Sequence, residues 1–105
     1  MFFELREYRI REGRRDEFIK LMDDTIIPFQ RSKGMVIMGS FVSLEEDDLY
    51  VWLRQFESED QRKKLYDAVY ADPYWMNEIK TAMGDMLIRE TMKVRLLQAT
   101  PMSGL

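Results

Sequence analysis

The chain contains no cysteine and no histidine. The first absence removes disulfide bonds, a thiol nucleophile and a zinc–thiolate site. The second removes the imidazole base and the imidazole ligand of a metal or haem, so haem chemistry through a histidine ligand is excluded. Glycines are few, and the isolated Gly34 and Gly39 do not form a phosphate-cradling loop. No apolar run approaches the roughly 20 residues of a membrane span. The opening Met1-Phe2-Phe3-Glu4-Leu5-Arg6 lacks the charged-then-apolar layout of a signal peptide, so a cytoplasmic setting is the expectation. An excess of basic charge is also missing. The net charge is −3 and the pI near 5.0, whereas a nucleic-acid surface needs a basic patch. No metal or cofactor site is expected. Chemistry is left to carboxylates, Lys, Tyr, Ser or Thr, or to a bound molecule itself.

What is present describes one ordinary globular domain over residues 1–105. Hydrophobic residues make up 46% and charged residues 33% of the 105, enough for a single core at this size. Phe2 to Ile10 alternates and is rich in aromatic and branched residues, which predicts a strand. One of its faces carries Phe3 and Leu5, the other Glu4, Arg6, Tyr8 and Ile10. Beyond the Glu12-Gly13 turn, Arg14 to Lys33 reads as a helix with Phe18, Leu21, Met22, Ile26 and Phe29 on one side. Pro28 lacks a backbone donor and predicts a break near Thr25 to Ile27. Gly34 supplies the stop.

Two further strands, Met35 to Leu44 and Leu49 to Phe56, flank the acidic hairpin Glu45-Glu46-Asp47-Asp48. That hairpin lacks the glycine-punctuated spacing of a Ca²⁺ loop and reads as solvated. Ser58 with Gln61 matches a capping box for a helix from Glu59 to Tyr70. Asp72-Pro73 opens another helical segment running to about Leu87. Arg89 to Ala99 alternates as a last strand, and Thr100 to Leu105 reads as a loose tail. The order β-α-β-β-α-β predicts an α+β, ferredoxin-like sandwich with both helical segments on one face of an antiparallel sheet. Both sheet faces carry large apolar residues, yet the helices cover only one. A second copy of the chain is expected on the other.

Several of these residues carry a family resemblance. Glu4-Leu5-Arg6-Glu7-Tyr8, Gly13 and Phe18 resemble the opening of the NIPSNAP family. Trp52, Phe56, Ser58, Arg62 and Ala71-Asp72-Pro73-Tyr74-Trp75 extend the likeness from about Phe3 to Leu97. The resemblance implies a homodimeric α/β barrel, two ferredoxin-like protomers packed sheet against sheet, in a family without a generally assigned reaction. Architecture alone does not choose a function.

Candidate site residues follow from sharing a strand face: Glu4, Arg6 and Tyr8 on the first strand, and Trp52, Arg54 and Phe56 with Tyr50 on the third. If Leu5 faces the helices, this aromatic-plus-arginine set faces the partner copy and lines an inter-sheet cavity. Apolar walls with a few fixed polar groups suit a small molecule, and an arginine there suits a carboxylate or phosphate. The same residue types also serve as adhesive interface anchors, and Glu4 and Arg6 pair with each other in that reading. Trp75 either closes one end of the cavity or anchors the helix that Asp72-Pro73 starts. Three functions compete: a homodimer binding a small apolar or aromatic molecule; a cofactor-independent monooxygenase or isomerase of aromatic compounds, with Glu4 or Tyr8 moving protons; and a ligand-free interaction module.

Overall fold

The computed structural model describes residues 1–105 and holds one four-stranded antiparallel sheet in the order β2-β3-β1-β4. The strands are β1 (Phe2–Arg9), β2 (Val36–Val42), β3 (Leu49–Phe56) and β4 (Lys93–Leu97). Between β1 and β2 run α1 (Arg15–Leu21), a π turn (Met22–Ile26) and α2 (Ile27–Ser32). Between β3 and β4 run α3 (Glu59–Tyr70), a second π turn (Tyr74–Ile79), α4 (Lys80–Met83) and a 3₁₀ turn (Arg89–Thr91). The ferredoxin-like arrangement is therefore present. No helix is long and apolar enough to cross a membrane.

Local chemistry explains the boundaries. The break expected before Pro28 is a π turn, where the widened winding absorbs the proline's missing donor. Gly34 ends this helical run at φ +101°, and its amide donates to Arg31 O at 3.0 Å. At the start of α3 the Ser58 Oγ accepts from the Gln61 amide at 3.1 Å, while Gln61 Oε1 accepts from the Glu57 amide at 2.7 Å. Asp72 Oδ1 likewise accepts from the Tyr74 amide at 2.7 Å. The second helical run stops earlier than expected, at Gly84 with φ +50°. The last strand is also shorter than its alternation suggested, because Arg89–Thr91 coils into a 3₁₀ turn first.

The core lies between sheet and helices. Tyr8, Ile10, Tyr50, Trp52 and Phe56 from the sheet pack on Phe18, Met22, Ile26, Val69, Ile79 and Met83 from the helical runs. This reverses the expected use of the two sheet faces. Glu4, Arg6, Tyr8, Trp52, Arg54 and Phe56 point at the chain's own helices, and Leu5, Val51 and Leu53 lie on the uncovered face. The helices supply what the face of Glu4 and Tyr8 needs: Gln30, Tyr66, Tyr70 and Arg62 meet the Glu4–Arg54 pair, and Phe18 meets the Tyr8 and Tyr50 rings. Phe3 and Phe41 share the open face with Leu5. That face remains partly bare, with Phe41 at 58% and Val36 at 46% exposure beside Leu5, Val51 and Leu53.

Candidate functional site

Cross-strand register builds the polar heart of the molecule. Pairing of β1 with β3 sets Glu4 opposite Arg54, Arg6 opposite Trp52 and Tyr8 opposite Tyr50. Arg54 is fully buried, an expensive place for a charge unless its whole fork is satisfied. Its Nε donates to Glu4 Oε1 at 3.1 Å, and Nη2 donates to the same oxygen at 2.5 Å. Nη1 donates to Gln30 Oε1 at 2.9 Å and to the Tyr70 hydroxyl at 3.0 Å. The guanidinium also lies over the Trp52, Tyr66 and Phe56 rings, 4.7, 5.1 and 5.6 Å from their centroids.

Glu4 is engaged just as fully. Its Oε2 accepts from the Tyr66 hydroxyl at 2.5 Å and from Arg62 Nε at 2.8 Å. Burial alone would raise its pKa, but the Arg54 charge and the Tyr66 hydrogen bond outweigh that and hold it at about 2. A carboxylate so far below neutrality is a weak base, so the proton-transfer role expected of Glu4 has no support in this geometry. Burial pushes the Tyr8 phenol upward, against the lowering pull of Arg6, which leaves it a protonated hydroxyl at neutral pH.

Beside this network lies a cavity of about 230 Å³ between the sheet and the helices. Of the seven residues singled out in the sequence, Arg6, Tyr8, Trp52 and Trp75 line it. Glu4, Arg54 and Phe56 do not; they sit behind its wall in the buried network. The candidate chamber is thus inside one protomer rather than between two sheets, because the polar groups of this face find their partners on the chain's own helices. Arg6 connects network and cavity. Its Nε donates to the Tyr8 hydroxyl at 2.9 Å and Nη1 to the Tyr66 hydroxyl at 3.2 Å, while Nη2 reaches only the Met92 thioether at 3.4 Å. The Trp52 indole nitrogen is buried without a partner.

Other parts of the chamber were not singled out in advance. Tyr66 and Tyr70 come from α3, Gln30 from α2, Lys80 from α4, with Arg89 and Met92 beyond it. The spacing of four in Arg62, Tyr66 and Tyr70 was a readable signal that these side chains share one helix face. Both π turns supply lining residues, Met22 and Ile26 from the first and Trp75 from the second. Such turns recur at functional sites because they re-aim side chains within a helix. Trp75 is held edge-on to Tyr70, ring centroids 4.7 Å apart.

Comparison with known proteins agrees with the fold. The family model described as NIPSNAP matches residues 3–104. Among solved structures, Atu4242 from Agrobacterium tumefaciens is 26% identical, with a TM-score of 0.89 over 100% of this chain and 99% of that one. Atu5224, a NIPSNAP family protein from the same organism, is 26% identical with a TM-score of 0.87 over 99% and 97%. More distant is SnoaB, a cofactor-independent oxygenase from Streptomyces nogalater, at 19% identity and a TM-score of 0.67 over 97% of each chain. That last likeness carries the fold alone. No curated protein sequence matches the chain.

Proposed function

Given that the chain belongs to the NIPSNAP family, we propose that it is a homodimeric small-molecule-binding protein, holding an apolar or aromatic compound in the chamber between its own sheet and helices. The carrying observation is the cavity of about 230 Å³ walled by the rings of Tyr8, Trp52 and Trp75 and fitted with one partly unengaged guanidinium, Arg6. Largely apolar walls with a few fixed polar groups are the ordinary make-up of a ligand site. A sealed apolar cavity of roughly 150 Å³ already takes benzene, so this chamber suits one or two fused rings.

Dimerisation is proposed through the open sheet face. Leu5, Val51 and Leu53 with the more exposed Phe41, Val36 and Leu97 form an apolar surface that water covers poorly. In this arrangement the partner buries the face opposite the chamber and each protomer keeps its own site. No binding residue is shared across the interface.

Tryptophan fluorescence tests the chamber directly, because both tryptophans of the chain line it. Titration with 4-nitrotoluene, an uncharged aromatic quencher, is expected to give saturable quenching of the folded protein. Quenching that rises linearly, with the same slope as in the urea-unfolded chain, would show only random collisions and overturn the reading.

A further inference from the structure

The chamber's charge is one-sided. Its lining contains three cationic side chains, Arg6, Lys80 and Arg89, and no aspartate or glutamate. The one carboxylate within reach of Arg6, Glu4 at 3.5 Å, is buried and shared with Arg54 and Arg62, so three guanidinium groups meet a single negative charge. Lys80 and Arg89 form no ion pair. The only polar partner of the Arg89 side chain is the Met83 thioether, at 3.8 Å. Arg6 repeats the pattern, its Nη2 resting on the Met92 thioether. Sulfur of this kind is a weak acceptor, so strong donors at the chamber are left with unused capacity.

In a chain whose net charge is −3, unbalanced cations concentrated around one apolar cavity call for an explanation. Charges of one sign beside low-dielectric walls focus their field into the cleft and enrich the opposite ion there. Arg6 lies at depth, part-buried on β1, whereas Lys80 and Arg89 are exposed on the segment that closes the chamber. A ligand reaching the chamber from solvent meets two exposed cations, Lys80 and Arg89, on its lining. Its charged end can then reach Arg6.

We infer that the ligand is an aromatic carboxylate, its ring system packed on Tyr8, Trp52 and Trp75 and its carboxylate drawn by Arg6, Lys80 and Arg89. The inference rests on the chamber proposed above and adds the ligand's charge to it. One free nitrogen on Arg6 suits a carboxylate oxygen displacing the Met92 contact.

Isothermal titration at neutral pH with three probes separates the two ideas: 2-naphthoate, its uncharged counterpart 2-naphthamide, and acetate. The expected result is naphthoate binding at least about fivefold tighter than naphthamide, with acetate not binding. Added salt should narrow that gap, because Lys80 and Arg89 are exposed. The double variant Lys80→Met with Arg89→Met, at exposed positions where folding is not at stake, should narrow it as well. Equal affinity for naphthoate and naphthamide overturns the charge assignment and leaves the chamber standing. Binding of neither aromatic probe overturns both. Acetate binding as tightly as naphthoate overturns the aromatic part.

Discussion

Glu4 and Arg54, fifty residues apart in the chain, stand directly opposite each other on β1 and β3 and form an ion pair with no solvent exposure on either side chain. Around it Gln30, Tyr66, Tyr70 and Arg62 satisfy the remaining donors and acceptors. Four separate stretches of chain, β1, β3, α2 and α3, are pinned to one another by this cluster. It also fixes Arg6, whose Nη1 lies 3.5 Å from Glu4 Oε1.

Breaking that pair is expected to be costly. Glu4→Gln alone leaves the buried Arg54 charge without its counterion, a loss of about 3–5 kcal/mol. Arg54→Met is expected to cost less, because Glu4 keeps Arg62 and Arg6 beside it. The double variant is expected to lose clearly less than the two single losses combined, because neither charge is then stranded. Urea denaturation of the four proteins measures this. Additive losses would show that the two residues act independently.

Acid should expose the same pair. Glu4 has an ordinary pKa of 4.5 when unfolded and about 2 when folded. Its contribution is therefore fully present above 4.5 and is lost as pH falls toward 2, since the unfolded chain takes up the proton first. The loss is on the order of 3 kcal/mol across that window. Denaturation midpoints measured through it should fall steeply for the wild type and more gently for Glu4→Gln. Identical slopes would contradict the assignment.

Ser58 caps α3, the helix that carries Arg62, Tyr66 and Tyr70 to the site. Ser58→Ala is expected to cost about 1 kcal/mol, lowering Tm by about 4–8 °C for a domain of this size. Ser58→Asp, which keeps an acceptor for the Gln61 amide, should restore most of it. Calorimetry giving equal Tm values for wild type and Ser58→Ala would show that the cap carries no weight.

The open sheet face gives a test of assembly. Leu53→Lys places a charge at its centre, between Leu5 on β1 and Gly39 on β2. The wild type is expected to sediment at twice the protomer mass at micromolar concentration, and the variant at the protomer mass with its secondary structure intact. A wild type that sediments as a folded monomer would remove the proposed interface.

Much of this architecture was legible in the sequence. Leu49–Phe56 and Glu59–Tyr70 have the boundaries that alternation and the Ser58–Gln61 box imply, and the break before Pro28 falls where a missing donor demands it. Which sheet face meets the helices was not legible. A two-residue period separates Glu4 and Tyr8 from Leu5 but assigns neither set to an environment. Composition pointed the wrong way too, since Glu and Arg are almost never fully buried unless paired. The pairing of Glu4 with Arg54 depends on a register between distant strands, and its completion by Gln30 and Tyr70 on the packing of two helices. Lys80 and Arg89 look like surface residues at every local level. Only the π turn and the stop at Gly84 bring them to the chamber.

The location of the site inside a single protomer is tested most directly by nuclear magnetic resonance. With two tryptophans in the chain, a ¹⁵N-labelled sample gives two indole N–H signals, from Trp52 and Trp75, both on the chamber wall. Adding 2-naphthoate or 2-naphthamide is expected to shift both signals saturably while, in a ¹³C-labelled sample, the side-chain methyl signals of Val51 and Leu53, on the opposite face, stay in place. Shifts confined to Val51, Leu53 and Leu5, with both indole signals unmoved, would contradict the account and put the ligand between the sheets instead.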